Sequence, residues 1–451
     1  MAKARSIFVC LECGQGSPQW GGRCNACGEW NTLVEEVESI GTSAATPASP
    51  PRARPQSISD VDSARFVAVA TGLPEIDRVL GGGFVAGSVS LLGGEPGIGK
   101  STLLLQIAGA YAARGQRVLY VSAEESLHQL QARAARTNVL HDNVWAVAEG
   151  DAGAIAQHID EMSPAFVVVD SIQAVADPQL SSTAGSVAQV RHCAHRLAAV
   201  AKARDVPLVL VGHVTKDGTL AGPRVLEHLV DTVLSFEGDR HHALRVLRAV
   251  KHRFGGTNDL GVLEMQQQGL IPVPDPSRLF LADRAADVAG SVLVPIVDGH
   301  RPFLVEVQAL VAHSNSGRRS AQGVDAGRLG FLLAVLRERA GVQLGERDVY
   351  ALAVGGVDAS EPGADLAICL AVASAAAGVA LPGTLAAYGE VGLGGELRRA
   401  SHHDQRVGEC LRLGIEGIVV PKHAPTLPRS IKSIRVATVR EALDRVGLSA
   451  V

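Results

Sequence analysis

The octapeptide Gly94-Glu95-Pro96-Gly97-Ile98-Gly99-Lys100-Ser101 fits the spacing G-x-x-x-x-G-K-[ST], and its flanks restrict the kind of domain that can carry it. SVSLLGG (88–94) is a β-rich run and STLLLQIAGAYAARG (101–115) has helical apolar spacing, so the order is strand, loop, helix. Gly94, Gly97 and Gly99 let successive backbone N–H groups turn toward phosphate oxygens that side chains would otherwise obstruct. Lys100 supplies a point charge to the phosphates, and the Ser101 hydroxyl is read as a ligand of the Mg²⁺ that accompanies a nucleoside triphosphate. A helix N-terminus beneath the phosphates adds its dipole. The expected nucleotide contacts run from Gly94 through Thr102.

The chain has 451 residues, enough for two or three domains, and its 47% hydrophobic content can fill real cores. A formal net charge of -4 gives no global positive field, so any nucleic-acid binding must rest on local patches. No run of 18 or more apolar residues occurs and MAKARSIFVCLEC lacks a signal-peptide pattern, which predicts a cytoplasmic protein with no membrane contact.

Cys10-x-x-Cys13 and Cys24-x-x-Cys27 form two knuckles, each followed by a glycine. Four thiolates at this spacing predict a closed tetrahedral Zn²⁺ site, structural because no coordination position stays open. A segment of this length (1–35) needs the metal for stability. Trp20 and Trp30 are expected to pack over the knuckles. Cys193, Cys369 and Cys410 are scattered in apolar helical contexts, which fits a reducing compartment. Residues 36–57 are rich in Pro, Ala, Ser and Thr and read as a flexible linker.

From 58 to 284 the pattern is α/β. A helix is predicted at 73–80 and strands at 88–94, 117–125, 166–172, 206–214 and 231–239. Apolar strands alternating with helices predict a parallel sheet covered on both faces, with ligands beyond the carboxyl ends of its strands. Asp170 closes FVVVD and is expected to hold the Mg²⁺ shell. Glu124 and Glu125 close VLYVSAEE; one is expected to deprotonate the attacking water, with Glu124 favoured and the other serving the next helix. His213 closes VLVGH, where it either senses the γ-phosphate or is a hydrogen-bonded structural histidine.

The order of the two cysteine knuckles, TGLPEIDRVLGGG, GEPGIGKS, YVSAEES, VVVDS, GHVTKDG and VLRAVKHRFGG resembles the bacterial RadA (Sms) DNA-repair family over essentially the whole chain. Lys251-His252-Arg253-Phe254-Gly255 resembles that family's KNRFG signature, with His252 in place of Asn; Ala123 stands where a Gly is usual. Neither departure removes a charge. The resemblance implies a RecA-like parallel-sheet P-loop ATPase core hydrolysing ATP, a small N-terminal zinc-binding module and homo-hexameric rings. It also implies that Lys251 and Arg253 reach a neighbouring subunit's nucleotide, where a cation supplied in trans stabilises charge on the γ-phosphoryl oxygens. The loop KDGTLAGPR, with Lys216 and Arg224, stands where RecA-like rings hold DNA.

Residues 285–451 resemble an α+β Lon protease-like domain. Glu361-Pro362-Gly363-Ala364-Asp365 stands at the nucleophile turn without a serine, and GELRRASHHDQRV (395–407) stands at the lysine site without a lysine. Because that protease needs a Ser/Lys dyad, peptidase activity is expected to be absent. NSGRRS, with Arg318 and Arg319, is a further candidate DNA contact. The implied function is a DNA-dependent ATPase and helicase acting on single-stranded and branched DNA beside the recombinase RecA. Two alternatives remain open, an ATP-dependent protease and a non-motor ATP switch.

Overall fold

Strands apolar on both sides must be covered on both sides, and one strand of the core shows how the sequence does it. In the computed structural model, which describes residues 5–10, 15–30, 32–38, 57, 67–214, 220–221, 225–238, 243–285, 287–313, 316–355 and 357–448, Phe166 and Val168 enter one hydrophobic cluster while Val167 and Val169 enter the other. Each such side chain contributes roughly 1.5–3 kcal/mol by leaving water.

The chain divides into two units, Met1–Val273 and Pro274–Val451. The first opens with β1 (Arg5–Cys10), β2 (Gly16–Ser17) and β3 (Leu33–Glu38), a three-stranded antiparallel sheet in the order β2-β1-β3. Because β3 runs through Glu38, this module extends past the expected limit at 35. Of the linker read over 36–57, only its overlap with β3 and Ser57 lie within the described residues.

The α/β core follows as α1 (Pro74–Val79), β4 (Val89–Gly94), α2 (Lys100–Ala112), β5 (Val118–Ser122), α3 (Leu127–Arg136), β6 (Val144–Ala148), α4 (Ala152–Met162), β7 (Phe166–Asp170), α5 (Val187–Ala203) and β8 (Leu208–Val211). Then come α6 (Val225–Leu229), β9 (Thr232–Glu237), β10 (Leu244–His252), β11 (Leu260–Gln266) and β12 (Gly269–Pro272). The sheet order is β12-β11-β10-β9-β4-β8-β7-β5-β6. Strands β9, β4, β8, β7, β5 and β6 are mutually parallel, while β10 to β12 add antiparallel. The five strands read for the parallel sheet are parallel as expected, and β10 to β12 extend it antiparallel: β9 to β12 follow one another through short connections, which suit antiparallel pairing and cannot make a parallel crossover. Helices α1, α2 and α3 cover one face and α4, α5 and α6 the other.

The second unit carries α7 (Pro276–Leu281), β13 (Ser291–Asp298), β14 (Arg301–Ala312), β15 (Arg319–Gln322), α8 (Ala326–Val335), β16 (Asp348–Ala353), α9 (Asp365–Ala377), β17 (Leu385–Ala387), α10 (His403–Arg412), β18 (Gly417–Pro421), β19 (Lys432–Val436) and α11 (Val439–Arg445). Its sheet order is β15-β16-β14-β13-β17-β18-β19. Strands β13 and β14 form an antiparallel hairpin. The boundary expected at 284/285 falls instead at Val273/Pro274, because α7 belongs to this unit. Ser277 there donates to Glu409 Oε1 at 2.5 Å and accepts the Leu304 N–H at 3.0 Å.

Candidate functional site

The phosphate loop is shaped by close packing. A Cβ at Gly94 would stand 2.5 Å from the Phe236 carbonyl oxygen, and Gly99, at φ 116°, caps α2 where a Cβ would strike Met265 Cε at 2.5 Å. A side chain at either position would displace the loop. Lys100 is 5% exposed, and its Nζ donates to the carbonyls of Gly94 at 2.7 Å and Glu95 at 3.0 Å. Burial holds the ammonium below the ordinary lysine value, opposed by the carboxylates of Asp170 and Glu124. An ammonium so desolvated gains strongly from an arriving anion.

The carboxyl ends of β4, β5 and β7 open on a cleft of about 510 Å³ lined by Pro96, Gly97, Gly99, Lys100, Ser101, Thr102, Glu124, Glu125 and Asp170 among others. The buried Tyr120 hydroxyl donates to Asp170 Oδ2 at 2.7 Å and orients that carboxylate. Burial, reinforced by Asp170, pushes the Tyr120 phenol well above its usual value, so it remains a donor. The two glutamates part company here. Glu124 Oε1 accepts from Ser171 Oγ, beside Asp170. Glu125 turns to Arg133 Nη2 at 2.5 Å, and Ser122 Oγ clasps its backbone. Ser101 and Asp170 offer a hydroxyl and a carboxylate, the hard oxygen donors that Mg²⁺ takes.

Three charged cleft residues escaped the sequence reading, Arg133, Arg136 and Arg245, along with Ser122 and Met265. Arg245 is buried and donates from Nε to the Ile98 carbonyl at 3.1 Å. Its signal was a charge at the inward phase of LRVLRA, where Leu247 and Ala249 are buried.

The Lys251-to-Gly255 motif sits elsewhere. Along β9, Phe236 pairs with Gly94 whereas Val233 pairs with Leu91, and Lys251 in turn pairs with Val233 and His252 with Thr232. The motif therefore lies at the amino ends of the parallel strands, about 10 Å or more from the phosphate loop along the strand direction. Lys251 Nζ donates to the carbonyls of Glu227 and, at 2.8 Å, Val230. Burial, with the nearby Arg253 charge adding to it, lowers its pKa. Arg253 Nη1 meets Asp231 at 3.0 Å and is more than half exposed. His252 is held between Thr232 Oγ1 at 2.9 Å and the Leu80 carbonyl at 3.2 Å, and burial lowers its pKa. Phe254 meets it edge-on, with ring centroids 5.9 Å apart.

His213 follows β8 just past the pairing of Val211 with Leu92, at the level of the phosphate loop. Lys216 and Arg224 lie outside the described residues. Arg318 and Arg319 are exposed, but Arg319 Nη1 folds back onto the carbonyls of Arg318 and Arg347.

In the N-terminal module the sulfurs of Cys10, Cys24 and Cys27 all lie within 4.8 Å of one another, a donor set that fits Zn²⁺. Cys13 lies outside the described residues. The expected packing of Trp20 and Trp30 over the knuckles is not what the structure has: they are 62% and 67% exposed. Phe8 and Leu33 fill the small core around the cysteines instead, and Trp30 stands beside the Arg23 guanidinium at 5.8 Å.

Cys193, Cys369 and Cys410 are buried free thiols, and burial raises Cys193 to about 11 and Cys410 to about 12. No helix of the described residues is long and apolar enough to cross a membrane.

Among known proteins, an AAA domain family matches residues 52–219 and a rubredoxin metal binding domain matches residues 8–35. The chain is 45% identical to proteins named DNA repair protein RadA from Halalkalibacterium halodurans and Bacillus subtilis, in each case over 98% of this chain and 99% of the relative. It is also 45% identical to the protein of that name from Listeria monocytogenes, over 99% of both chains.

Proposed function

This chain belongs to the RadA family of DNA repair proteins, and from that membership and its ATPase domain we propose a DNA-dependent motor that drives branch migration on single-stranded and branched DNA made by the recombinase RecA. The observation that carries this reading is the separation of two sites on one sheet. The groups suited to hydrolysis stand at the carboxyl ends of the strands, and Lys251 and Arg253 at the amino ends. Neither cation reaches its own subunit's cleft, so both suit a neighbour's nucleotide in a homo-hexameric ring.

In this mechanism the backbone from Gly94 to Gly99 and the Lys100 ammonium bind the triphosphate. Ser101 and Asp170 would hold Mg²⁺, which would supply positive charge to offset that of the triphosphate. Tyr120 keeps the Asp170 carboxylate aimed into the cleft. Glu124 takes the proton of the attacking water, while Glu125 is retained by Arg133. His213, at the end of β8, reports the state of the γ-phosphate to the loop that carries Lys216 and Arg224, where DNA binds, with Arg318 and Arg319 as a further DNA contact. The Cys10, Cys13, Cys24 and Cys27 thiolates hold structural Zn²⁺.

The reading of an inactive peptidase fold also draws support from the second unit. Ala364 is buried at the turn where the protease needs its serine, and Glu361 is engaged by Arg406. We assign this unit to ring assembly.

The test is ATP-fuelled displacement of a strand from a three-way DNA branch. The wild type is expected to displace it. Glu124→Gln should bind nucleotide but lose at least about a hundredfold in turnover and displacement, whereas Glu125→Gln should stay within several-fold of wild type. A dead Glu125→Gln beside an active Glu124→Gln would move the base to Glu125. Hydrolysis without any displacement by the wild type would replace the motor with the nucleotide switch.

A further inference from the structure

Lys251 and Arg253 are long side chains at the end of β10, and a long side chain acts at a distance only when something aims it. Both are tied to one short run of chain, Glu227 to Asp231, where α6 ends and β9 begins. Lys251 Nζ donates to the Glu227 and Val230 carbonyls. The Arg253 N–H donates to the Asp231 carbonyl at 3.1 Å, and its Nη1 meets the Asp231 carboxylate at 3.0 Å.

A carboxylate taken out of water keeps its charge only among strong partners. The Asp231 side chain is 6% exposed and is met from three elements. Arg253 comes from the end of β10. Lys202, in the last turn of α5, brings its Nζ to 3.3 Å of both oxygens. The Val89 N–H, at the start of β4, donates to Oδ2 at 3.1 Å, and the Asp231 N–H returns a bond to the Val89 carbonyl at 2.8 Å. Asp231 is thus fixed to the core strand β4, whereas Arg253 is more than half exposed. The fixed partner sets the direction of the exposed one. Asp231 stands far from its own subunit's phosphates: the next residue, Thr232, pairs with Ser90, four residues or about 13 Å along the strand from Gly94.

We propose that Asp231 is the positioning residue of the trans cations: its carboxylate holds the Arg253 guanidinium at the angle from which it meets a neighbour's γ-phosphate, and its backbone, with the end of α6, keeps Lys251 alongside. The inference rests on the reading of Lys251 and Arg253 as acting in trans. Asp231 touches no nucleotide and acts through these two side chains alone, so its loss is felt in the neighbouring subunit's cleft.

The experiment is steady-state ATP turnover by the full chain with single-stranded DNA. Asp231→Asn keeps the side-chain volume and an oxygen for the Val89 N–H, and it removes the charge that holds Arg253. It is expected to lower kcat by about ten- to a hundredfold, the scale set by a misplaced catalytic group. KM for ATP and the circular dichroism spectrum should match wild type, because each subunit's own cleft is intact. Mixed rings then locate the loss. Asp231→Asn subunits carry sound clefts and Glu124→Gln subunits carry sound cations, so rings assembled from both should turn over faster than the two variants summed. Lys251→Ala mixed with Glu124→Gln is the control and should recover in the same way. The proposal falls if the control recovers and the Asp231→Asn mixture does not, or if Asp231→Asn raises KM and leaves kcat unchanged, since Asp231 would then serve its own subunit through Val89. Failure of both mixtures would instead sink the trans reading on which the proposal stands.

Discussion

Lys100→Ala is expected to lower ATP turnover by about two to three orders of magnitude, the usual loss when one group aimed at developing phosphoryl charge is removed. The geometry makes the loss specific. Lys100 is buried, bonded to the Gly94 and Glu95 carbonyls and faced by Asp170 and Glu124. The substitution removes the cation that faces the Asp170 and Glu124 carboxylates, so phosphate then meets them without it. The two carbonyls it leaves border an open cleft where water can serve them, and the thermal midpoint should move little. A steady-state assay with circular dichroism on the same sample checks both statements. Wild-type turnover by this variant would show that the cleft is not where ATP is hydrolysed.

The second large effect concerns stability in the C-terminal unit. Arg406 is 0% exposed, and its two terminal nitrogens donate to Glu361 at 2.7 and 2.6 Å, with the Pro295 and Ser401 carbonyls taking further bonds. Glu361 also accepts the Val297 N–H at 3.0 Å. Glu361→Ala strands a buried charge and a backbone donor together, and is expected to destabilise this unit by about 3–5 kcal/mol. All three tryptophans precede Pro274, so their fluorescence does not report on this unit. Amide exchange in α10 and β13 does. The double variant Glu361→Leu with Arg406→Met should recover most of the loss, since replacing both partners removes the orphaned charge. A loss below about 1 kcal/mol in the single variant would contradict this account.

The strand, loop and helix around Lys100 were legible because phosphate chemistry tolerates few other residues at those positions. Asp170 was legible as a carboxylate ending an apolar strand. Which glutamate faces Asp170 was not, since Glu124 and Glu125 both follow β5 and only Arg133, on the helix that follows, and Ser171, distant in sequence, separate them. Strand β6 was missed because an edge strand need not be apolar: Trp145 is exposed and Val144 and Val147 only partly buried. The start of the second unit was misplaced although Asp275 and Pro276 carry a helix-start signal, with Asp275 accepting the Arg278 N–H. Six helical residues give too little periodicity to show which core they serve. Arg133, Arg136 and Arg245 read as ordinary solvated charges until the fold brought α3 and β10 to one cleft.

The position of Lys251 at the amino ends of the strands makes one measurement decisive for the motor. It is the ATPase rate of wild type and of Lys251→Ala, each with and without single-stranded DNA. The account predicts that DNA raises the wild-type rate by about tenfold or more and raises that of Lys251→Ala little. Equal wild-type rates with and without DNA would contradict it.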